Sequence, residues 1–97
     1  MSQVDIYLDA AERTNTRRSY ASAIQHFEVE WGGLLPATID SIARYLAAYA
    51  ESLSLNTLKH RLAALSRWHQ DHGFPDPTKA LKIRQVLKGI RTLHQIG

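Results

Sequence analysis

Apolar residues recur along this chain at every third or fourth position, the spacing that gathers them on one face of an α-helix. Five stretches show this pattern, and none follows the strict alternation of a half-buried β-strand. Each stretch follows residues that can cap a helix N-terminus, namely Ser2, the segment 13–16, Thr38, Ser54 and Thr78. The pattern therefore predicts an all-α protein, a compact bundle of about five helices.

The first of these predicted helices is short and separate from the second. Its apolar face consists of Val4, Tyr7, Leu8 and Ala11, and residues 13–16 allow a new helix to begin after it. The second helix stops at the glycine pair 32–33, and the fourth stops at Gly73. We expect a core of four helices with the short N-terminal helix added to it.

Composition limits what such a bundle can be. The 97 residues, with a mass of 11.0 kDa, allow one domain. The absence of cysteine excludes disulfides, iron–sulfur clusters and thiolate zinc sites. No apolar run approaches the roughly 20 residues needed to cross a membrane, and the first residues are acidic where a signal peptide is basic. We expect a cytoplasmic protein that does not bind membranes.

Charge is distributed unevenly among the predicted helices. The net charge is only +3, from 12 Lys and Arg against 9 Asp and Glu. Residues 1–12 and 28–53 each carry a net charge of −3, whereas 13–27, 54–70 and 71–97 each carry +3. The second, fourth and fifth helices are therefore basic, a distribution that favours binding to a polyanion.

The outward faces of the three basic helices carry cationic, amide, hydroxyl or small side chains. These are Arg18, Ser19, Ser22 and Gln25 on the second helix; Asn56, Lys59, His60, Ala63, Ala64 and Arg67 on the fourth; and Arg84, Lys88, Arg91 and Gln95 on the fifth. Arginine and glutamine can form paired hydrogen bonds with base edges, and alanine would let DNA approach the backbone closely. An ordinary solvated surface remains an alternative for any one of these faces.

A repeated dipeptide opens both the second and the fourth predicted helices. Asn15–Thr16 and Asn56–Thr57 stand at the two predicted N-termini. The free N–H groups in the first turn of a helix, together with the helix dipole, attract phosphate. We therefore predict a phosphate contact at each N-terminus.

An ordered set of short motifs also matches a known family. They are Asn-Thr-Arg-Arg-Ser-Tyr at 15–20, Phe27, Trp31, Leu34, Pro36 to Thr38, Ile42, Tyr45-Leu46, Ser-Leu-Asn-Thr-Leu at 54–58, Leu62, Leu65, Trp68-His69, Gly-Phe-Pro-Asp-Pro-Thr at 73–78 and Leu-Lys-Gly-Ile-Arg at 87–91. The chain resembles the N-terminal core-binding domain of tyrosine recombinases of the phage-integrase type, with spacing closest to Cre-like members. The resemblance covers nearly the whole chain and implies a SAM-like helical bundle.

The resemblance implies a DNA-binding function. In that family the domain holds one side of a recombination half-site, and its second and fourth helices lie in the major groove. It assigns DNA contact to Arg18, Ser19, Ser22, Gln25, Asn56, Thr57, His60, Ala64 and Arg67, and the basic residues Arg17, Lys59, Lys88 and Arg91 complete the predicted set. Double-stranded DNA and other recombinase subunits in a synaptic complex are the implied partners. We expect the isolated domain to be monomeric and nucleoid-associated.

No catalytic role is predicted for this chain. The family's nucleophilic tyrosine and its assisting residues belong to a following domain, for which residues 1–97 leave no room, and we expect a domain cut from a longer protein. Tyr7, Tyr20, Tyr45 and Tyr49 all lie at helical positions, where packing roles are favoured. His69 is predicted to be a packed core histidine, and neither a metal nor a cofactor is expected. A helical protein-interaction module and a stand-alone DNA-binding regulator remain alternatives.

Overall fold

Four α-helices account for most of the chain. The structure, a computed structural model, describes residues 2–96. Its helices are α1 (Gln3–Gln25), α2 (Ile39–Tyr49), α3 (Leu55–Asp71) and α4 (Leu81–Ile96), with a π-helical turn at His26–Glu30 and a short 3-10 helix at Pro77–Lys79. No strand occurs between residues 2 and 96, which confirms the all-α prediction. Within the same residues, no helix is both long enough and apolar enough to cross a membrane.

Three helices begin at the caps that the sequence predicted. The side chains of Ser2, Thr38 and Ser54 each accept a hydrogen bond from the backbone N–H three residues ahead. The predicted cap at Thr78 is wrong, because this residue lies inside the 3-10 helix and α4 begins only at Leu81. The third predicted helix is also shorter than expected, since α2 ends at residue 49 rather than near 53.

The predicted break between the first two helices is absent. α1 runs through residues 13–16 as one helix, and the Thr14 hydroxyl donates to the Ala10 carbonyl at 3.1 Å. Threonine and asparagine cost only about 0.5 kcal/mol each inside a helix, so they permit a new start without enforcing one. Residues 2–96 therefore form four α-helices where about five were expected.

The core lies between α2 and the other elements. Eight side chains are almost completely buried, namely Phe27, Ile42, Tyr45, Leu46, Leu58, Leu65, His69 and Ile83. The ring of Tyr45 packs edge-on against Phe27, Trp31 and Tyr49, with centroids 5.0 to 5.4 Å away. These aromatic contacts hold the π-helical turn that follows α1 against α2.

His69 is the core histidine that the sequence predicted. It is fully buried, and both ring nitrogens are hydrogen-bonded. The Ala37 N–H donates to Nε2 at 2.9 Å, so Nδ1 carries the proton and donates to the Leu65 carbonyl at 2.7 Å. The ring therefore links the loop before α2 to α3.

The first half of α1 projects from this core. Every residue from 2 to 19 is exposed, including Val4, Ile6, Tyr7 and Leu8. The radius of gyration is 15.2 Å, whereas a compact chain of this length is expected near ~12.5 Å. We call residues 3–13 the N-terminal arm.

Candidate nucleic-acid interface

α1 packs across α3 at a point where the sequence predicted an open surface. Ala64, expected to face DNA, is only 1% exposed, because it lies on the side of α3 that meets α1. The prediction that Ala64 contacts DNA is therefore wrong. A small side chain there serves helix packing, since it lets the two helices approach closely.

A groove of about 340 Å³ opens on one side of this crossing. It is lined by Ser19, Ser22, Ala23, Asn56, Thr57, His60 and Arg61, and we call it the crossing groove. Five of the thirteen predicted DNA-binding residues meet here, although they come from two helices far apart in sequence. None of the residues that line the crossing groove is acidic.

A hydrogen bond between the two helices organises the crossing groove. Ser19 Oγ and His60 Nε2 lie 2.6 Å apart, and the Tyr20 ring packs on the His60 ring with centroids 5.4 Å apart. The imidazole is therefore held between a hydroxyl and an aromatic ring. Its position relative to α1 is set before any ligand binds.

The first turn of α3 forms one end of the crossing groove. Asn56 is exposed, whereas the N–H of Thr57 is already bonded to the Ser54 hydroxyl at 3.1 Å. Part of the predicted phosphate contact at this N-terminus is thus occupied by the cap. The matching prediction at Asn15–Thr16 is wrong, because these residues lie inside α1 and their N–H groups belong to the helix.

The remaining predicted residues lie outside the crossing groove. Arg17 and Arg67 line a larger cleft on the opposite side of the crossing, where Arg67 Nε pairs with Asp71 at 2.9 Å. Five others are exposed and line neither depression: Arg18, Gln25, Lys59, Lys88 and Arg91. The last two belong to α4, which packs mainly on α2, so they are not brought to the groove.

Arg61 is a groove residue that the sequence prediction missed. It is half-buried and lies four residues after Thr57, a spacing that could have revealed it. Burial raises the pKa of Tyr45, and the nearby Arg61 charge partly opposes that rise. Arg61 therefore connects the crossing groove to the aromatic core.

The two sides of the crossing differ in charge. The cleft on the far side is lined by three carboxylates, from Asp9, Glu12 and Asp71, and by the three arginines at 13, 17 and 67, whereas the crossing groove has Arg61 and no carboxylate. Comparison of the chain with protein-family models, with characterised proteins and with solved structures finds no match. Its function is therefore inferred from the crossing groove and from the charges around it.

Proposed function

We propose that the chain binds double-stranded DNA as the core-binding domain of a tyrosine recombinase. The observation that carries the proposal is the crossing groove, which gathers hydroxyl, amide, imidazole and guanidinium groups and no carboxylate. The exposed side chains of Arg18 and Lys59 add positive charge on the two helices that form it. This combination suits a ligand with both phosphates and hydrogen-bonding base edges.

The two helices would have different roles in binding. The first turn of α3 offers Asn56 for an adenine edge, while His60 and Ser19 offer further hydrogen bonds to bases or phosphates. Arg18 and Lys59 would contact phosphates, which positions the protein without reading sequence. The major groove of B-DNA is wide enough to admit an α-helix, and following the resemblance we assign both α3 and the second half of α1 to that groove.

The resemblance noted in the sequence supports the finer parts of this proposal. By this resemblance the bundle is SAM-like, and the chain holds DNA while another part of the recombinase cleaves the strands. Other recombinase subunits are then its partners. The motifs at 15–20 and 54–58 are central here, because they contribute three of the residues that line the crossing groove, Ser19, Asn56 and Thr57.

A salt titration with duplex DNA tests the proposal. Fluorescence anisotropy with labelled duplexes of mixed sequence should show weak binding that falls steeply as salt concentration rises. Arg18→Ala should weaken binding and reduce the slope of log affinity against log salt by about 1. Arg44→Ala is the matched control, because it removes the same charge from an exposed position on α2.

Two results would contradict the proposal. One is the absence of salt-dependent binding to any duplex. The other is an equal loss of DNA affinity in Arg18→Ala and Arg44→Ala, which would show that net charge alone attracts the DNA. If DNA has no effect and the protein associates with itself as its concentration rises, the alternative of a protein-interaction module is supported instead.

A further inference from the structure

The two halves of α1 carry apolar stripes on opposite faces. The second half buries its stripe against the core, through Ala23 and Ile24 among others. The stripe of the N-terminal arm is exposed, with Val4 at 65%, Tyr7 at 73% and Leu8 at 60%. At about 100° per residue, Val4 lies roughly 160° around the helix from Tyr20. A straight α1 therefore turns the arm's stripe away from the rest of the protein.

The larger cleft on the opposite side of the crossing, which we call the far-side cleft, lies beside the arm and encloses about 650 Å³. Its inner surface includes Tyr20, Ile24 and Trp68. The Trp68 ring stacks on His72 with centroids 4.1 Å apart and on Phe74 at 5.8 Å, and these two outer side chains are exposed. An apolar surface thus faces the arm across an open space.

Two ion pairs on the walls of the cleft each lie within a single helix. Arg13 pairs with Asp9 on α1, and Arg67 pairs with Asp71 on α3. Among residues 2–96, no ion pair joins the arm to α3. The arm is therefore held in place by the continuity of α1 alone, and a free helix of eleven residues is marginally stable in water.

The weakest part of that continuity lies at residues 14–16. Threonine and asparagine are poorer helix formers than alanine. The bond from the Thr14 hydroxyl to the Ala10 carbonyl is of the kind that bends helices. If two residues left the helix here, the arm would turn by about 200° around its axis. Val4 would then lie within roughly 40° of the face that carries Tyr20.

We propose that α1 opens at two residues within 14–16 and that the N-terminal arm swings across the far-side cleft. In this closed form the apolar stripe of the arm packs on Trp68, His72 and Phe74. Closure removes two exposed apolar surfaces from water at once, while the straight helix leaves both uncovered.

Spin-label distances in the full chain test this closure. The chain has no cysteine, so Gln3→Cys and Pro75→Cys place one label at the tip of the arm and one beside the cleft. We expect two distances that differ by about 10 Å or more, since an arm of eleven residues is about 16 Å long. The shorter distance should disappear when residues 14–16 are all changed to alanine, which favours the straight helix.

A second variant separates loss of closure from a change in the hinge. Leu8→Glu leaves residues 14–16 intact and should also remove the shorter distance, because it places a charge in the apolar stripe. A single distance in the parent chain, unchanged in both variants, would overturn the proposal. A short distance that appears only in a mixture of the two singly labelled proteins would also overturn the proposal, because it would show that the arm docks on a second copy of the chain. DNA is absent from the measurement, so its outcome is independent of the proposed function.

Discussion

Ser19 and His60 lie 41 residues apart in sequence, yet Ser19 Oγ and His60 Nε2 are 2.6 Å apart across the α1–α3 crossing. Both residues belong to the set that the sequence assigned to DNA contact, and both line the crossing groove. The bond joins the two helices that the proposed function places against DNA. It also makes the two side chains one structural unit.

The Ser19–His60 pair should therefore act as a unit in DNA binding. We expect Ser19→Ala and His60→Ala each to weaken duplex binding by about 3- to 10-fold, as loss of one hydrogen bond typically does. The double variant should lose less than the product of the two single losses, because each change already breaks the shared bond. Anisotropy titrations measure all three affinities. Glu51→Ala, at an exposed residue after α2, is expected to bind like the parent.

A negative charge at the end of the crossing groove should oppose DNA binding strongly. Asn56→Asp adds one carboxylate to a lining that has none, and phosphates would then be repelled. Folding should be preserved, because an acidic residue in the first turn of a helix is favourable. We expect at least a 10-fold loss of affinity with an unchanged thermal midpoint. Parent-like affinity would show that DNA does not approach Asn56.

The packing of α1 on α3 predicts opposite tolerances at two adjacent alanines. Ala64 is buried at the crossing and Ala63 is exposed. Ala64→Leu should force the helices apart and lower the free energy of unfolding by about 1–3 kcal/mol. Ala63→Leu should change it by less than about 0.5 kcal/mol. Urea denaturation measures both, and equal effects would place the crossing elsewhere.

Replacement of Gly33 and of Gly89 by alanine should change the free energy of unfolding in opposite directions. At Gly33 the added carbon would overlap the ring of Phe27, which is fully buried and has no room to move. We expect Gly33→Ala to lower the free energy of unfolding by about 1–3 kcal/mol. Gly89 lies within α4 with open space around it, so Gly89→Ala should raise the same quantity by about 0.5–1 kcal/mol. A stable Gly33→Ala protein would contradict the observed approach of the chain to Phe27.

Stability should fall as the pH is lowered through the range in which His26 titrates. Burial of the ring and the nearby Arg61 charge lower the pKa of His26 below 6.5, although Glu30 partly opposes them. The unfolded chain therefore takes up the proton first, and the contribution of neutral His26 is complete above about pH 6.5 and decreases below it. Urea denaturation from pH 7 to 5 should show a smaller decrease for His26→Gln than for the parent. Equal decreases would exclude His26 as the source.

The all-α class follows largely from local chemistry in the sequence. Apolar residues at helical spacing and the caps at Ser2, Thr38 and Ser54 act within a few residues, so the sequence predicted the all-α class and the starts of α1, α2 and α3 correctly. His69 was also predicted as a core residue, since it continues the apolar face of its helix. DNA binding, in contrast, stays a prediction that the proposed titrations test.

Tertiary packing determined the burial of Ala64 and the grouping of the site residues, because both depend on which face of one helix lies against which face of another. A helical wheel identifies only the main apolar face of a helix, and Ala64 lies outside that face of α3, so the sequence predicted it to be exposed. It is buried because α3 also packs against α1 on a second side. Residues 13–16 permit either a break or a continuous helix, and local propensity does not choose between them. The crossing of α1 over α3 places Ser19 next to His60 in the crossing groove and Arg67 in the cleft on the other side. Residue spacing within one helix cannot predict which of these residues come together, because that depends on how the two helices pack.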